Sequence, residues 1–167
     1  MAKVGMIGAG SWGIALSVLL HNNGHDITVW SALKDEIDML SREHEHKDKL
    51  PGVKLAQDIV FTTVLAEAVK DKDILVLAVP SSYTRTTAHS MKEIVSAGQI
   101  IVNVAKGIEE STLMTLSQVI EEEVPQADVA VLSGPSHAEE VGKCIPTTIV
   151  VGAQTKKTAE FIQSVFM

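Results

Sequence analysis

The sequence predicts an α/β protein: a doubly wound, mostly parallel sheet with helices on both faces. Three observations predict it. Residues 4–13, Val-Gly-Met-Ile-Gly-Ala-Gly-Ser-Trp-Gly, read as a buried strand, a tight glycine turn and the start of a helix. Ile74–Val79 and Gln99–Ala105 are largely apolar runs, as expected of strands covered on both faces. Between them lie segments with apolar residues at helical spacing, the alternation that builds parallel sheets.

The turn Gly8-Ala9-Gly10-Ser11-Trp12-Gly13 is a G-x-G-x-x-G. Gly8 lets the chain turn sharply off its strand. Gly10 lets a pyrophosphate approach the backbone, and Gly13 lets the helix lie close to the sheet. The unbonded amides and positive dipole end of that helix then face the phosphates.

The first helix is expected from Ser11 to Asn23, with Trp12, Ala15, Leu16, Leu19 and Leu20 on one buried face. Gly24 suits its left-handed stop. Asp26–Trp30 is the second strand. In NAD-binding domains an acidic residue commonly ends this strand, about 20 residues after the glycines, and holds the ribose 2′-hydroxyl. Here Trp30-Ser31-Ala32-Leu33 follows, and no carboxylate appears until Asp35. That leaves room for a 2′-phosphate and favours NADP over NAD. Lys34 is the candidate to pair with the phosphate, against a plain solvated role at a helix start.

Residues 33–44 are expected as a helix with Leu33, Ile37 and Leu40 on one face. The run Glu43-His44-Glu45-His46-Lys47-Asp48-Lys49 matches no common zinc spacing and reads as a solvated helix end. Residues 59–63 form a short strand and 65–69 a brief helix. After the run 74–79, Pro80 opens a loop at a strand's carboxyl end, where sheets of this kind bind ligands, and a helix follows over 82–95.

Lys106 and Gly107 stand immediately after the strand Gln99–Ala105. An ammonium on that ligand-bearing edge can neutralise a phosphate or polarise a carbonyl. Residues 112–122 are expected as a helix with Leu113, Leu116 and Ile120 inward. The strand Asp128–Leu132 runs into Ser133-Gly134-Pro135-Ser136-His137-Ala138-Glu139-Glu140, a second strand–turn–helix in which Ser136 and Glu139 have capping-box spacing. His137 reads as an exposed first-turn histidine and Cys144 as inert. Residues 146–151 are a last strand, and Thr155 caps a final helix with Ala159, Ile162 and Phe166 on one face.

Composition excludes several classes. The 167 residues suffice for one domain, 46% of them hydrophobic. A net charge of −7 argues against a nucleic-acid-binding face. One cysteine permits no intrachain disulfide, and no apolar run reaches the roughly 20 residues of a membrane span. With a strand at the N-terminus and no signal peptide, a cytoplasmic setting is expected. The apolar ending at Met167 suggests a larger protein cut near that helix.

Taken together and in this order, Val4–Gly13, Val79-Pro80, Ala105-Lys106-Gly107 and Ser133–Glu140 resemble bacterial NAD(P)-dependent glycerol-3-phosphate dehydrogenase. The resemblance covers all 167 residues as that enzyme's N-terminal, Rossmann-type domain. It implies reduction of dihydroxyacetone phosphate to sn-glycerol 3-phosphate with NADPH or NADH, for phospholipid synthesis. By motif, Ser11 and Trp12 would contact the cofactor, Lys106 both cofactor and substrate, Gly134 and Ser136 the substrate, and Ala138 the cofactor. The family commonly carries basic or imidazole side chains where this chain has Ala32 and Leu33. Its proton-transfer lysine lies in a helical C-terminal domain that this chain lacks, so no catalytic residue is assigned within 1–167. That domain, and pairing into a homodimer of the full-length protein, are the partners the resemblance allows. A β-hydroxyacid or ketopantoate-type dehydrogenase, or a nucleotide-sensing Rossmann module, are the rival readings.

Overall fold

A computed structural model describes Met1–Met167. The order is β1 (Lys3–Ile7), α1 (Ser11–Asn22), β2 (Asp26–Trp30), α2 (Lys34–Glu43), β3 (Val60–Thr62), α3 (Leu65–Val69) and β4 (Ile74–Leu77). A 3-10 turn (Ser81–Tyr83) leads into α4 (Thr84–Met91), β5 (Ile100–Asn103), α5 (Leu116–Glu123), β6 (Asp128–Ser133), α6 (Ala138–Val141), β7 (Val150–Ala153) and α7 (Lys156–Phe166).

The seven strands form one sheet in the order β3-β2-β1-β4-β5-β6-β7. All pairs are parallel except β6 with β7. The chain winds outward from β1 in one direction and then, from β4, in the other. The strand order therefore reverses between β1 and β4, and a crevice opens there at the carboxyl ends of the strands.

Period-two alternation splits the strands between two cores. Val4, Met6, Ile74, Val76, Val102 and Ala130 join the cluster under α1 and α7. Ile7, Leu75, Leu77, Ile101 and Val129 join the cluster under α3, α4 and α5. Both sheet faces are covered, which is why these runs carry so few polar residues.

Helix α1 is buried nearly all round rather than on one face. Ile14, Ser17 and Val18 are buried along with Ala15, Leu16 and Leu20, while Trp12 and Leu19 are half-buried. The reason is a second layer: α6 and α7 pack over α1 from outside. Each fully buried aliphatic side chain contributes about 1.5–3 kcal/mol. That outweighs the roughly 1 kcal/mol of a side-chain cap, which α1 lacks at Gly10.

Several boundaries differ from expectation. Leu33 is not on the buried face of α2; it is 60% exposed and caps the helix in an extended conformation. Leu113 is 73% exposed with φ 60°, because α5 begins only at Leu116 under a Thr115–Gln118 capping box. The expected Ser136–Glu139 box does not form. His137 occupies the cap position of the four-residue α6 without a side-chain bond, and the Ser136 hydroxyl turns back toward the Gly134 carbonyl. The last strand starts at Val150 rather than 146 and runs antiparallel. Thr155 caps α7 as expected, accepting from the Thr158 amide at 3.1 Å.

Candidate functional site

The glycine turn sits at the strand-order reversal. A Cβ on Gly8 would lie 2.8 Å from the Ala78 carbonyl group after β4, and one on Gly13 would lie 2.1 Å from the Gly8 carbonyl oxygen. These two glycines serve internal packing. Gly10 is different: a Cβ there meets no protein atom within 4 Å. Nothing in the fold requires a glycine at 10, so the open space above it is the feature to explain. The first hydrogen bond of α1 runs from the Ile14 amide to the Gly10 carbonyl. The amides of Ser11, Trp12 and Gly13 therefore have no intrahelical acceptor, and the first turn carries no acidic residue.

Two cavities flank this turn. The first, about 310 Å³, runs from Gly8, Ala9 and Gly10 past Val79 and Pro80 to Ser31, Glu36 and Lys49. The second, about 330 Å³, brings Ser11, Trp12, Lys106, Ser136, His137 and Ala138 together. The indole N–H of Trp12 is buried and has no protein hydrogen-bond partner, so an acceptor from a ligand or an ordered water would satisfy it. A larger concavity near Lys3, Asp26 and Lys72 lies at the opposite, amino-terminal ends of β1 and β2, away from the crevice.

Lys106 reaches across from β5 to the β6–α6 turn, where its ammonium donates to the carbonyls of Gly134 (3.4 Å) and Ser136 (3.3 Å). Asn103 shapes the turn beneath it, accepting from the Ala105 amide and donating to the Ala105 carbonyl, each at 3.2 Å. The loop beyond Lys106 is pinned by Arg85. Its guanidinium donates to both Glu109 carboxylate oxygens at 2.8 Å and to Glu123 at 2.6 Å. Hydrogen bonds from Arg85 hold the Glu109 carboxyl down to about 2. Gly134 packs closely against the segment before β7, since its Cβ would lie 2.7 Å from the Thr148 carbonyl oxygen.

Most residues singled out in sequence converge here. Gly8, Gly10 and Pro80 line one cavity; Ser11, Trp12, Lys106, Ser136 and Ala138 line the other. Gly13 and Gly134 shape the walls from behind. Lys34 is not brought in. It stands exposed at the start of α2 and pairs with Asp38 one turn on.

Sequence reasoning missed a buried network at the far end of the first cavity. Glu36 folds back from α2, and its carboxylate accepts from Ser31 Oγ (2.5 Å), His46 Nε2 (2.9 Å) and Lys49 Nζ (2.5 Å). His46 is 2% exposed rather than solvated. Its Nδ1 accepts from the Lys49 backbone amide at 3.2 Å, leaving the proton on the Nε2 that faces Glu36. Burial pushes the Glu36 carboxyl up, but the bonds from Lys49, Ser31 and His46 more than offset it and leave it below its ordinary value. The one available signal was the i,i+10 spacing of Glu36 and His46 across a turn, which no local pattern encodes. No cluster of His, Cys, Asp and Glu could hold a metal ion, and no helix is long and apolar enough to cross a membrane.

Comparison with known proteins places this geometry. The glycerol-3-phosphate dehydrogenase of Agathobacter rectalis is 63% identical over 167 residues, which is 100% of this chain and 50% of the relative. That of Bacillus subtilis is 42% identical over 170 aligned residues, 100% of this chain and 49% of the relative. Both carry the designation NAD(P)+. Among solved structures, glycerol-3-phosphate dehydrogenase from Coxiella burnetii superposes with a TM-score of 0.93 at 25% identity, over 99% of this chain and 51% of that one. The chain thus spans about half the length of the relatives it matches. A family model described as NAD-dependent glycerol-3-phosphate dehydrogenase N-terminus matches residues 3–159. Since that stretch runs from β1 into α7, nearly the whole fold, the chain belongs to the family of NAD-dependent glycerol-3-phosphate dehydrogenase N-terminal domains.

Proposed function

We propose that this chain binds NAD(P)H in the crevice at the β1/β4 reversal and serves as the cofactor-holding half of a glycerol-3-phosphate dehydrogenase. The observation that carries this reading is the open space above Gly10, beside three unbonded amides, with Lys106 and the Gly134–Ser136 turn on the adjoining wall. Gly8, Gly10, Ser11, Trp12, Gly13 and Pro80 would hold the dinucleotide near its pyrophosphate, with Ala138 and Lys106 toward the nicotinamide. Bound there, the cofactor supplies a hydride from its nicotinamide ring.

Lys106, Gly134 and Ser136 would meet dihydroxyacetone phosphate or sn-glycerol 3-phosphate. The Lys106 ammonium is exposed, and only two long carbonyl contacts restrain it. It is free to move to an anionic oxygen, where a positive charge is worth more than in water. The buried Trp12 N–H is a second unused donor on the same wall. At the adenosine end, Lys49 rather than Lys34 lies on the cavity wall. That ammonium, shared with the Glu36 carboxylate, can meet a 2′-phosphate, and NADP is favoured on that ground.

We assign the proton transfer to the carbinol oxygen to a second, helical domain rather than to a residue of this chain. In this reading 1–167 binds cofactor and turns over little by itself, and the longer protein is cytoplasmic. The test has two parts. Titrating this chain with NADPH and NADH should give saturable binding. A chain extended to the length of the relatives should oxidise NADPH with dihydroxyacetone phosphate and not with β-keto acids, and Lys106→Ala should lower that activity at least tenfold. Turnover by 1–167 at ordinary dehydrogenase rates would refute the division of labour.

A further inference from the structure

The Glu36 network adds something that the dinucleotide reading, on which this inference rests, does not contain. A buried carboxylate and the only ammonium on that cavity wall are bonded to each other at its adenosine end. The carboxylate is fixed: Ser31 holds one oxygen and His46 the other, and the imidazole is itself held by the Lys49 amide. The ammonium is not fixed. The Lys49 side chain is 46% exposed against 8% for Glu36, and Lys49 has a flexible stem that can re-aim.

We propose that Glu36 and Lys49 form a selector for the 2′ position of the adenosine ribose, in which Glu36 restrains the preference for NADPH that Lys49 creates. Against a 2′-hydroxyl, Lys49 stays on Glu36 and the pair is nearly neutral toward the ligand. Against a 2′-phosphate, Lys49 must leave Glu36 to meet the dianion. The buried carboxylate then keeps only Ser31 and His46 and stands close to a like charge. Both cofactors are accepted, and the phosphate gains less than a free lysine would give it. His46 acts as a positioning residue, aiming an N–H at Glu36 and keeping the carboxylate where Lys49 can return.

The proposal is tested by titrating this chain and two variants with NADPH and NADH, reading cofactor fluorescence and quenching of Trp30, which lines the same cavity. Glu36→Gln keeps an acceptor for Ser31 and removes the charge. It should tighten NADPH about tenfold while NADH changes less than threefold. Lys49→Met leaves Glu36 without its cation and should weaken NADPH about tenfold, again sparing NADH. Movement of the NADPH-to-NADH ratio in these opposite directions supports the selector. A ratio that stays within threefold in both variants, or moves the same way in both, overturns it while leaving dinucleotide binding intact. If the parent chain binds neither cofactor, the dinucleotide reading itself fails and the selector with it. Should Glu36→Gln not fold, Lys49→Met decides: loss of NADPH alone supports the proposal, and equal loss of both cofactors overturns it.

Discussion

Alanine at Gly10 and alanine at Gly13 should fail in opposite ways, and the contrast tests the placement of the pyrophosphate. At Gly13 the new methyl would sit 2.1 Å from the Gly8 carbonyl oxygen and 3.1 Å from its carbon. Ordinary carbon–oxygen contact needs more than 3 Å, so α1 must move by about 1 Å. Overpacking of this kind costs about 1–3 kcal/mol, and the better helix propensity of alanine returns up to about 1 kcal/mol. With that return in full the net loss is about 0–2 kcal/mol, a melting temperature lower by up to about 8 °C for a domain of this size. At Gly10 no protein atom lies within 4 Å, and φ −67°, ψ 176° is open to any residue. Alanine is a clearly poorer N-cap than glycine but restricts the unfolded chain by about 0.4–1 kcal/mol, so the two largely offset and stability should change by no more than about 1 kcal/mol. The methyl instead occupies the space assigned to the ligand and should weaken NADPH at least tenfold. Thermal unfolding and cofactor titration of both variants read the two effects separately. A Gly10→Ala chain that binds NADPH as tightly as the parent would refute the assignment.

Other predictions follow from single contacts. Thr155→Ala removes the acceptor for the Thr158 amide and should cost about 1 kcal/mol, seen as a melting temperature lower by about 2–4 °C. Arg85→Met releases Glu109 and Glu123 together; faster amide hydrogen exchange over residues 105–115 should report a loosened Lys106 loop, whereas unchanged exchange would show that the clamp is idle. Because the Glu109 carboxyl is lowered from 4.5 to about 2, its contribution to stability is complete above about 4.5 and is lost as pH falls toward 2. Urea midpoints between pH 5 and 2 should fall less steeply in Arg85→Met than in the parent.

Much of this was legible in sequence because it is local. The strands β1, β2, β4 and β5 follow from short apolar runs, and the crevice from the fact that turns after parallel strands face one edge. Leu33 and Leu113 misled because helical spacing extends a pattern past the point where the backbone starts to coil. The cap at Thr115 and the left-handed φ at Leu113 decide where α5 begins. Ser136 has capping-box spacing, but α6 is too short and too tightly tied to the β7 segment for the box to close. Glu36, His46 and Lys49 were unreadable for a different reason. Each is an ordinary surface type in a polar run, and only the return of residues 44–55 across α2 turns them into a buried network. The carboxylate absent directly after β2 stands instead on the next helix, bonded to Lys49.

The burial of α1 on its outer side has a consequence for how the protein is made. Its cover includes α7, and the two are tied by Asn23 Nδ2 donating to the Val165 carbonyl at 3.2 Å and His25 Nε2 meeting the same oxygen at 2.9 Å, across 142 and 140 residues. During synthesis the glycine turn leaves the ribosome well before the helix that braces the far end of α1. Contacts so distant in sequence form late. The nascent chain therefore carries α1 without its outer cover until residues 156–166 have emerged.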